Sequence, residues 1–128
     1  IYIGDQGLEL HRKVTTMFTD PQRQRRKDPG RPEICNVFSF HRIYSPEQKT
    51  CQIDEDCRKA AIGCTDCKAL LAAAIAQGLA SVHERREYYL THPDEVRQII
   101  AQGNDRAKQV AEATMDEVRR AVNIDYGL

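Results

Sequence analysis

The stretch from Cys35 to Cys67, CNVFSFHRIYSPEQKTCQIDEDCRKAAIGCTDC, holds all five cysteines of the chain, at 35, 51, 57, 64 and 67. Cys64 and Cys67 are three apart, so on a helix both sulfurs leave one face about one turn apart. Gly63 precedes the pair, and Thr65 and Asp66 inside it favour a helix start. Cys57 lies one short loop upstream, and Cys35 ends a turn of a different segment. Four thiolates from two or three segments can enclose one soft metal centre. A zinc knuckle usually shows two close Cys pairs. Here one close pair joins two isolated Cys, a spacing that suits a four-thiolate iron–sulfur cluster at least as well as zinc. The odd count and the lack of any secretory signal argue against a disulfide framework. Buried structural thiols are the bland alternative. Cys51 is the odd one out and reads as a free thiol.

Upstream, Ile1 to Asp5 reads as a short strand or extended entry ended by Gly4 and Asp5. Leu10, Val14, Met17 and Phe18 then recur at helical spacing within Leu8 to Phe18. Thr19-Asp20-Pro21 stops that helix, because a residue before Pro is pushed out of the helical region. Pro21 to Pro32 is a turn-rich connector carrying Arg23, Arg25, Arg26 and Lys27. Such a run is either a phosphate contact or a solvated charge run on a loop. Pro32 suits the first turn of a helix whose apolar side is Ile34, Val37, Phe38, Ile43 and Tyr44. Glu47 to Ala61 is polar, with Asp54-Glu55-Asp56 ahead of Cys57, and does not read as one regular helix. Metal binding could organise so core-poor a stretch, since ligand binding free energy counts toward folding.

Downstream, Leu71, Ala74, Ile75, Gly78, Leu79, Val82 and Tyr89 predict one long helix from Thr65 to Thr91. His92-Pro93-Asp94 breaks it, with Thr91 as cap and Pro93 in the next first turn. The last helix is expected from Asp94 to Asn123, with a narrow stripe at Val96, Ile100, Gly103, Ala107, Val110, Thr114, Val118 and Ala121. That spacing favours antiparallel pairing with the preceding helix. The fold class is therefore mainly α: a small helical bundle with two long C-terminal antiparallel helices and a Cys-rich metal-binding loop region.

A chain of 128 residues supports one modest core. Its formal net charge is zero, so nucleic-acid contact would need a local patch. No apolar run approaches a membrane span and no targeting peptide is visible, which points to the cytoplasm. His11, His41, His83 and His92 are dispersed and read as surface or cap residues. No Ser/His/Asp set, paired carboxylates or Gly-rich phosphate loop is present. Arg85 and Arg86 read first as a solvated helix face. The chain opens on Ile1-Tyr2-Ile3 rather than Met, and the expectation is a piece of something longer.

Ile1-Tyr2-Ile3, a helix and then Met17-Phe18-Thr19-Asp20-Pro21 resemble the segment after the KMSKS loop of bacterial tryptophanyl-tRNA synthetases. Asp28-Pro29-Gly30, Cys35-Asn36-Val37-Phe38, Ile62-Gly63-Cys64 leading into Lys68, Arg85-Arg86 and the closing Ala107 to Val122 helix continue the likeness across the chain. Some members of that family carry C-x22-C-x6-C-x2-C, which in them holds a [4Fe–4S] cluster in the anticodon-binding region. The resemblance implies that Cys35, Cys57, Cys64 and Cys67 are the ligands here, although the first interval is one residue short. It moves the cluster ahead of zinc. It also implies an enzyme that charges tryptophan tRNA using ATP, working as a homodimer. The catalytic and ATP-binding motifs lie outside this chain, which should be inactive alone. Residues 1–31 would be the end of the catalytic domain and a connector, and 32–128 the anticodon-binding domain. Lys68, Arg85, Arg86, Arg25 and Arg26 are the candidate tRNA contacts. The competing class is a stand-alone metal-binding or redox-sensing helical module.

Overall fold

The computed structural model describes residues 1–124, and their secondary structure is helical throughout. The helices are α1 (Gly7–Thr15), α2 (Asn36–Tyr44), α3 (Glu47–Arg58), α4 (Cys64–Gly78), α5 (Ala80–Thr91) and α6 (Pro93–Ala121), with a 3-10 turn at Pro32–Ile34. By packing, the chain divides into two units, residues 1–84 and 85–128.

In the first unit α1 and α2 both lie on α4, and α2 also packs on α3. The shared core is Leu10 and Val14 of α1, Val37 of α2, and Leu71, Ala72 and Ile75 of α4. Leu10/Val14 and Leu71/Ile75 are four apart, so each pair shares one helical face. Full burial of a side chain such as Leu71 or Ile75 is worth about 1.5–3 kcal/mol. Met17, Cys35, Phe40, Tyr44, Cys67 and Leu79 pack around that nucleus, which sets two of the thiols against it. Glu9 in the first turn of α1 and Arg12 and Lys13 in the last complement the helix dipole.

Several expectations are corrected. Ile1 to Asp5 is a turn, not a strand: the Asp5 N–H donates to the Tyr2 carbonyl, and Asp5 Oδ2 accepts from the Tyr2 N–H at 2.7 Å. An extended segment needs a neighbour to pair with, and the described residues contain no strand. Pro32 starts a 3-10 turn, and α2 begins only at Asn36. On α2, Ile43 is exposed, and His41 is fully buried instead. Its Nε2 lies 3.1 Å from the Cys67 carbonyl, which can only accept. That makes Nε2 the protonated nitrogen, leaving Nδ1 to accept from the Ser45 hydroxyl at 2.7 Å. A buried histidine with both nitrogens bonded behaves as a core residue.

Glu47–Arg58 does form one regular helix. It buries only Ile53, but Gln52–Asp56, Asp54–Arg58 and Glu55–Lys59 pair along its outer face at four-residue spacing. The long helix foreseen from Thr65 is divided after Gly78. A Cβ there would stand 2.9 Å from the Tyr44 ring, so Gly78 permits the close approach of α2.

In the second unit α6 starts at Pro93, with His92 rather than Thr91 in the capping position. Tyr88 stacks on the His92 ring at 4.2 Å, and its hydroxyl donates to Glu95 at 2.8 Å. No residue of α6 is buried, and Val110 and Val118 on the foreseen stripe are exposed.

Candidate metal centre

Three helix ends meet at one small cavity. Cys35 occupies the position just before α2, Cys57 is in the last turn of α3, and Cys64 opens α4 with Cys67 one turn on. These four cysteines line the cavity together with Thr19, Arg23, Val37 and Ile62. Cys51 is exposed on α3 and does not line it. The thiols come together because α2 and α4 pack on each other and the α3–α4 turn reverses tightly. That turn passes through Ala60 in the left-handed region (φ 55°), with the Ala61 N–H bonded to the Asp56 carbonyl at 2.7 Å.

The connector seals the cavity from the other side. Asp20 is buried and accepts from Arg31 three times, through Nη2 at 2.7 Å, Nε at 3.0 Å and the backbone N–H at 3.1 Å. The Gln22 N–H adds a fourth bond at 2.9 Å. The Arg31 guanidinium, above all, holds the Asp20 carboxyl far below the usual carboxylate range. This clasp closes the loop that carries Arg23 and Gly30. The Gly30 N–H donates to the Cys57 carbonyl at 2.9 Å, and a Cβ on Gly30 would lie 2.4 Å from Cys57 Sγ. Only glycine fits so close to that thiol.

Arg23 is the cation of the cavity wall. Its Nη1 donates to Cys57 Sγ at 3.6 Å, and its Nη2 donates to the carbonyls of Ile62 at 2.7 Å and Arg26 at 3.2 Å. Among the described residues, Arg23 Nε is the buried side-chain nitrogen that finds no partner.

The electrostatics keep the buried thiols protonated. Burial, and next the neighbouring Cys35, Cys57 and Cys64, push the Cys67 thiol up to about 12. Burial also raises the Cys57 thiol, with Cys35 and Cys64 adding to it and Arg23 opposing. Thiols held in this way are not activated nucleophiles. They become ligands when a metal displaces their protons. The positive ends of the α2 and α4 dipoles lie at the same place, which favours negative charge there.

A single ion and a cluster ask for different spacings. A tetrahedral zinc with Zn–S near 2.3 Å draws its sulfurs to about 3.8 Å from one another. Among the described residues no three His, Cys, Asp or Glu side chains gather in a way that would hold one metal ion. The four thiols line one cavity together. The cavity has a volume of only about 20 Å³ as the side chains lie. The chemistry of the donor set, rather than the free space, carries the fit: four thiols, one cation with an unused N–H, and two helix N-termini.

Arg25 and Arg26 border a second cavity of about 280 Å³, with Thr19, Gly63, Cys64, Thr65 and Asp66 among its other walls. Arg26 pairs with Asp66 at 3.4 Å. Lys68 points the other way, its Nζ capping α1 by a 2.7 Å bond to the Thr15 carbonyl. Arg85 and Arg86 belong to the second unit, and both are exposed. Sequence reasoning placed Arg23 in the charged run but gave it no role of its own. It passed over Gly30 and the Asp20–Arg31 clasp, for nothing in a run of Arg and Gly separates a wall residue from a solvated one.

No protein-family model matches the chain. Individual relatives do. A tryptophan–tRNA ligase of Aquifex aeolicus is 38% identical over 125 residues, which are 97% of this chain and 32% of that protein. A tryptophan–tRNA ligase of Ralstonia nicotianae is 40% identical over 126 residues, 98% of this chain and 32% of that protein. One of Thermotoga maritima is 40% identical over 119 residues, 92% of this chain and 36% of that protein. The chain is homologous to part of the tryptophan–tRNA ligases. It spans about a third of the length of these relatives. The residues around the four thiols thus sit in a segment that such ligases carry as one piece of a larger protein.

Proposed function

We propose that this chain is the anticodon-reading C-terminal part of a tryptophan–tRNA ligase, and that Cys35, Cys57, Cys64 and Cys67 hold a [4Fe–4S] cluster in it. Homology over nearly the whole chain carries the first half of the reading. The gathering of four thiols from three helix ends on one cavity carries the second. The full-length protein would attach tryptophan to its tRNA at the expense of ATP and work as a homodimer. Residues 1–31 would close its catalytic part and 32–128 would face the anticodon, so this chain alone should be inactive.

When bound, the cluster would supply a rigid, sulfur-anchored junction rather than an electron, because aminoacyl transfer needs none. The chain's own residues then do the reading. Anticodon bases are recognised unstacked, through stacking and hydrogen bonds to their edges. Fixing the Cys57 to Cys67 turn in one shape spares the ordering entropy that a loose loop would lose on binding. Arg25 and Arg26, which line the cavity next to Cys64, would meet the RNA backbone of that loop. Arg85 and Arg86 are a second basic pair for the same task. Lys68, engaged on α1, would have to leave its cap to contribute.

The test is iron, sulfide and zinc analysis of protein purified without oxygen, followed by tRNA binding. About four irons per chain are expected, as a [4Fe–4S] cluster requires. Cys64→Ser should lose the cluster and weaken binding of the tryptophan tRNA. A colourless zinc protein would discard the cluster and leave the RNA reading standing. Unchanged tRNA affinity and folding in Cys64→Ser would remove the link between the centre and recognition.

A further inference from the structure

We infer that Arg23 is the charge-compensating positioning residue of the centre, donating hydrogen bonds to its sulfur atoms and setting its stability and reduction potential. The inference rests on the cluster reading above.

Three observations carry it. Arg23 is the cationic side chain among the residues lining the thiol cavity, and it already donates to Cys57 Sγ at 3.6 Å. Its Nη2 is anchored to the carbonyls of Ile62 and Arg26, so the guanidinium is held against the wall rather than free to reach solvent. Its Nε–H is buried without a partner. A buried unmade N–H is costly, more so on a charged group, and a bound acceptor would relieve that cost. The acceptors a sulfur-ligated cluster brings to this wall are its thiolates and sulfides. The local charge agrees. Four thiolates around an iron–sulfur core leave a net anion, and a guanidinium beside it favours both the assembled state and the addition of an electron.

The experiment compares the wild-type protein with Arg23→Gln and Arg23→Lys, each purified and reconstituted without oxygen. It reads iron and sulfide per chain, the rate of iron loss to a chelator, and the midpoint potential. Melting of the metal-free proteins is recorded alongside. Arg23→Gln should weaken iron retention about 10- to 100-fold, the usual effect of removing an outer hydrogen-bond partner. It should also shift the potential to a more negative value. Arg23→Lys, which keeps the charge and loses the planar fork, should hold iron less well while its potential stays near that of wild type. A merely structural arginine would lower the melting of the metal-free protein and leave the potential unmoved.

An Arg23→Gln protein matching wild type in both iron retention and potential overturns the inference alone. If Arg23→Gln does not fold, Arg23→Lys decides, and unchanged iron retention in it overturns the inference. A wild-type protein that takes up no iron overturns the cluster reading and this inference with it.

Discussion

A Cβ on Gly30 would stand 2.4 Å from Cys57 Sγ, closer than real Cβ atoms come to a neighbour, and a tight 3.3 Å from the Arg23 Cδ. Gly30→Ala should therefore push the Cys57 thiol and Arg23 apart. The expected result is a folded protein with sharply reduced iron per chain, measured after reconstitution and checked against circular dichroism of the metal-free form. A nearby aspartate makes a different prediction. Hydrogen bonds from Arg31 depress the Asp20 pKa in the fold, so the folded state binds its proton more weakly than the unfolded chain does. Its contribution is then complete above the unfolded value, near 3.9. It is lost as the pH falls from there toward the folded value. Asp20→Asn should melt lower than wild type at neutral pH, with a gap that narrows below about pH 4. Thermal melts across that range decide it, and a gap independent of pH would show that the charge is not what Asp20 contributes.

The helices differ in how they declare themselves. α4 is apolar enough that Leu71 and Ile75 point to it at once, and α6 is bounded by Pro93 and a basic last turn, Arg119 and Arg120. α3 is hard to read as a helix because its core contribution is the single buried Ile53. Its stability along the outer face comes from pairs four residues apart, a weaker pattern to see and one worth only about 0.2–0.5 kcal/mol per pair. The end of α3 carries a strained residue. Ala60 sits at φ 55°, where an L side chain costs about 1–2 kcal/mol and glycine costs none of that. Glycine gives part of the gain back as unfolded-state entropy. Ala60→Gly should thus stabilise the metal-free protein by about 0.5–1 kcal/mol, read from denaturant melts. A loss instead would show that the turn between Cys57 and Cys64 is held by contacts that need the methyl group.

For the molecule as a whole, a net charge of zero means that the RNA binding proposed above would have to come from local cations rather than from the global field. Each phosphate contact on a single strand adds about 0.7 to the slope of log affinity against log salt. Replacing Arg25 and Arg26 together by Ala should weaken binding of the anticodon stem-loop and flatten that slope by about 1.4. The same pair of changes at Arg85 and Arg86 tests the second unit separately. Titrations over a range of salt in the full-length protein give both numbers, and an unchanged slope removes the pair concerned from the interface. No described helix is long and apolar enough to cross a membrane.

The sequence by itself determined the helical class and the break at His92-Pro93 between α5 and α6, and it singled out the cysteine-rich stretch, because periodicity, proline and cysteine spacing are local and survive without neighbours. It could not say that Glu47–Arg58 is one helix, that the helix after Thr65 divides at Gly78, or that His41 is buried. Each of those depends on what packs against the segment: weak face pairs, the Tyr44 ring, and the Cys67 carbonyl. Only the tertiary structure separated Arg23 from Arg25 and Arg26. They share one charged run and all three line the larger cavity, but the fold brings only Arg23 onto the thiol cavity as well. Burial and a missing hydrogen-bond partner are properties of an environment, and a chain acquires an environment only by folding.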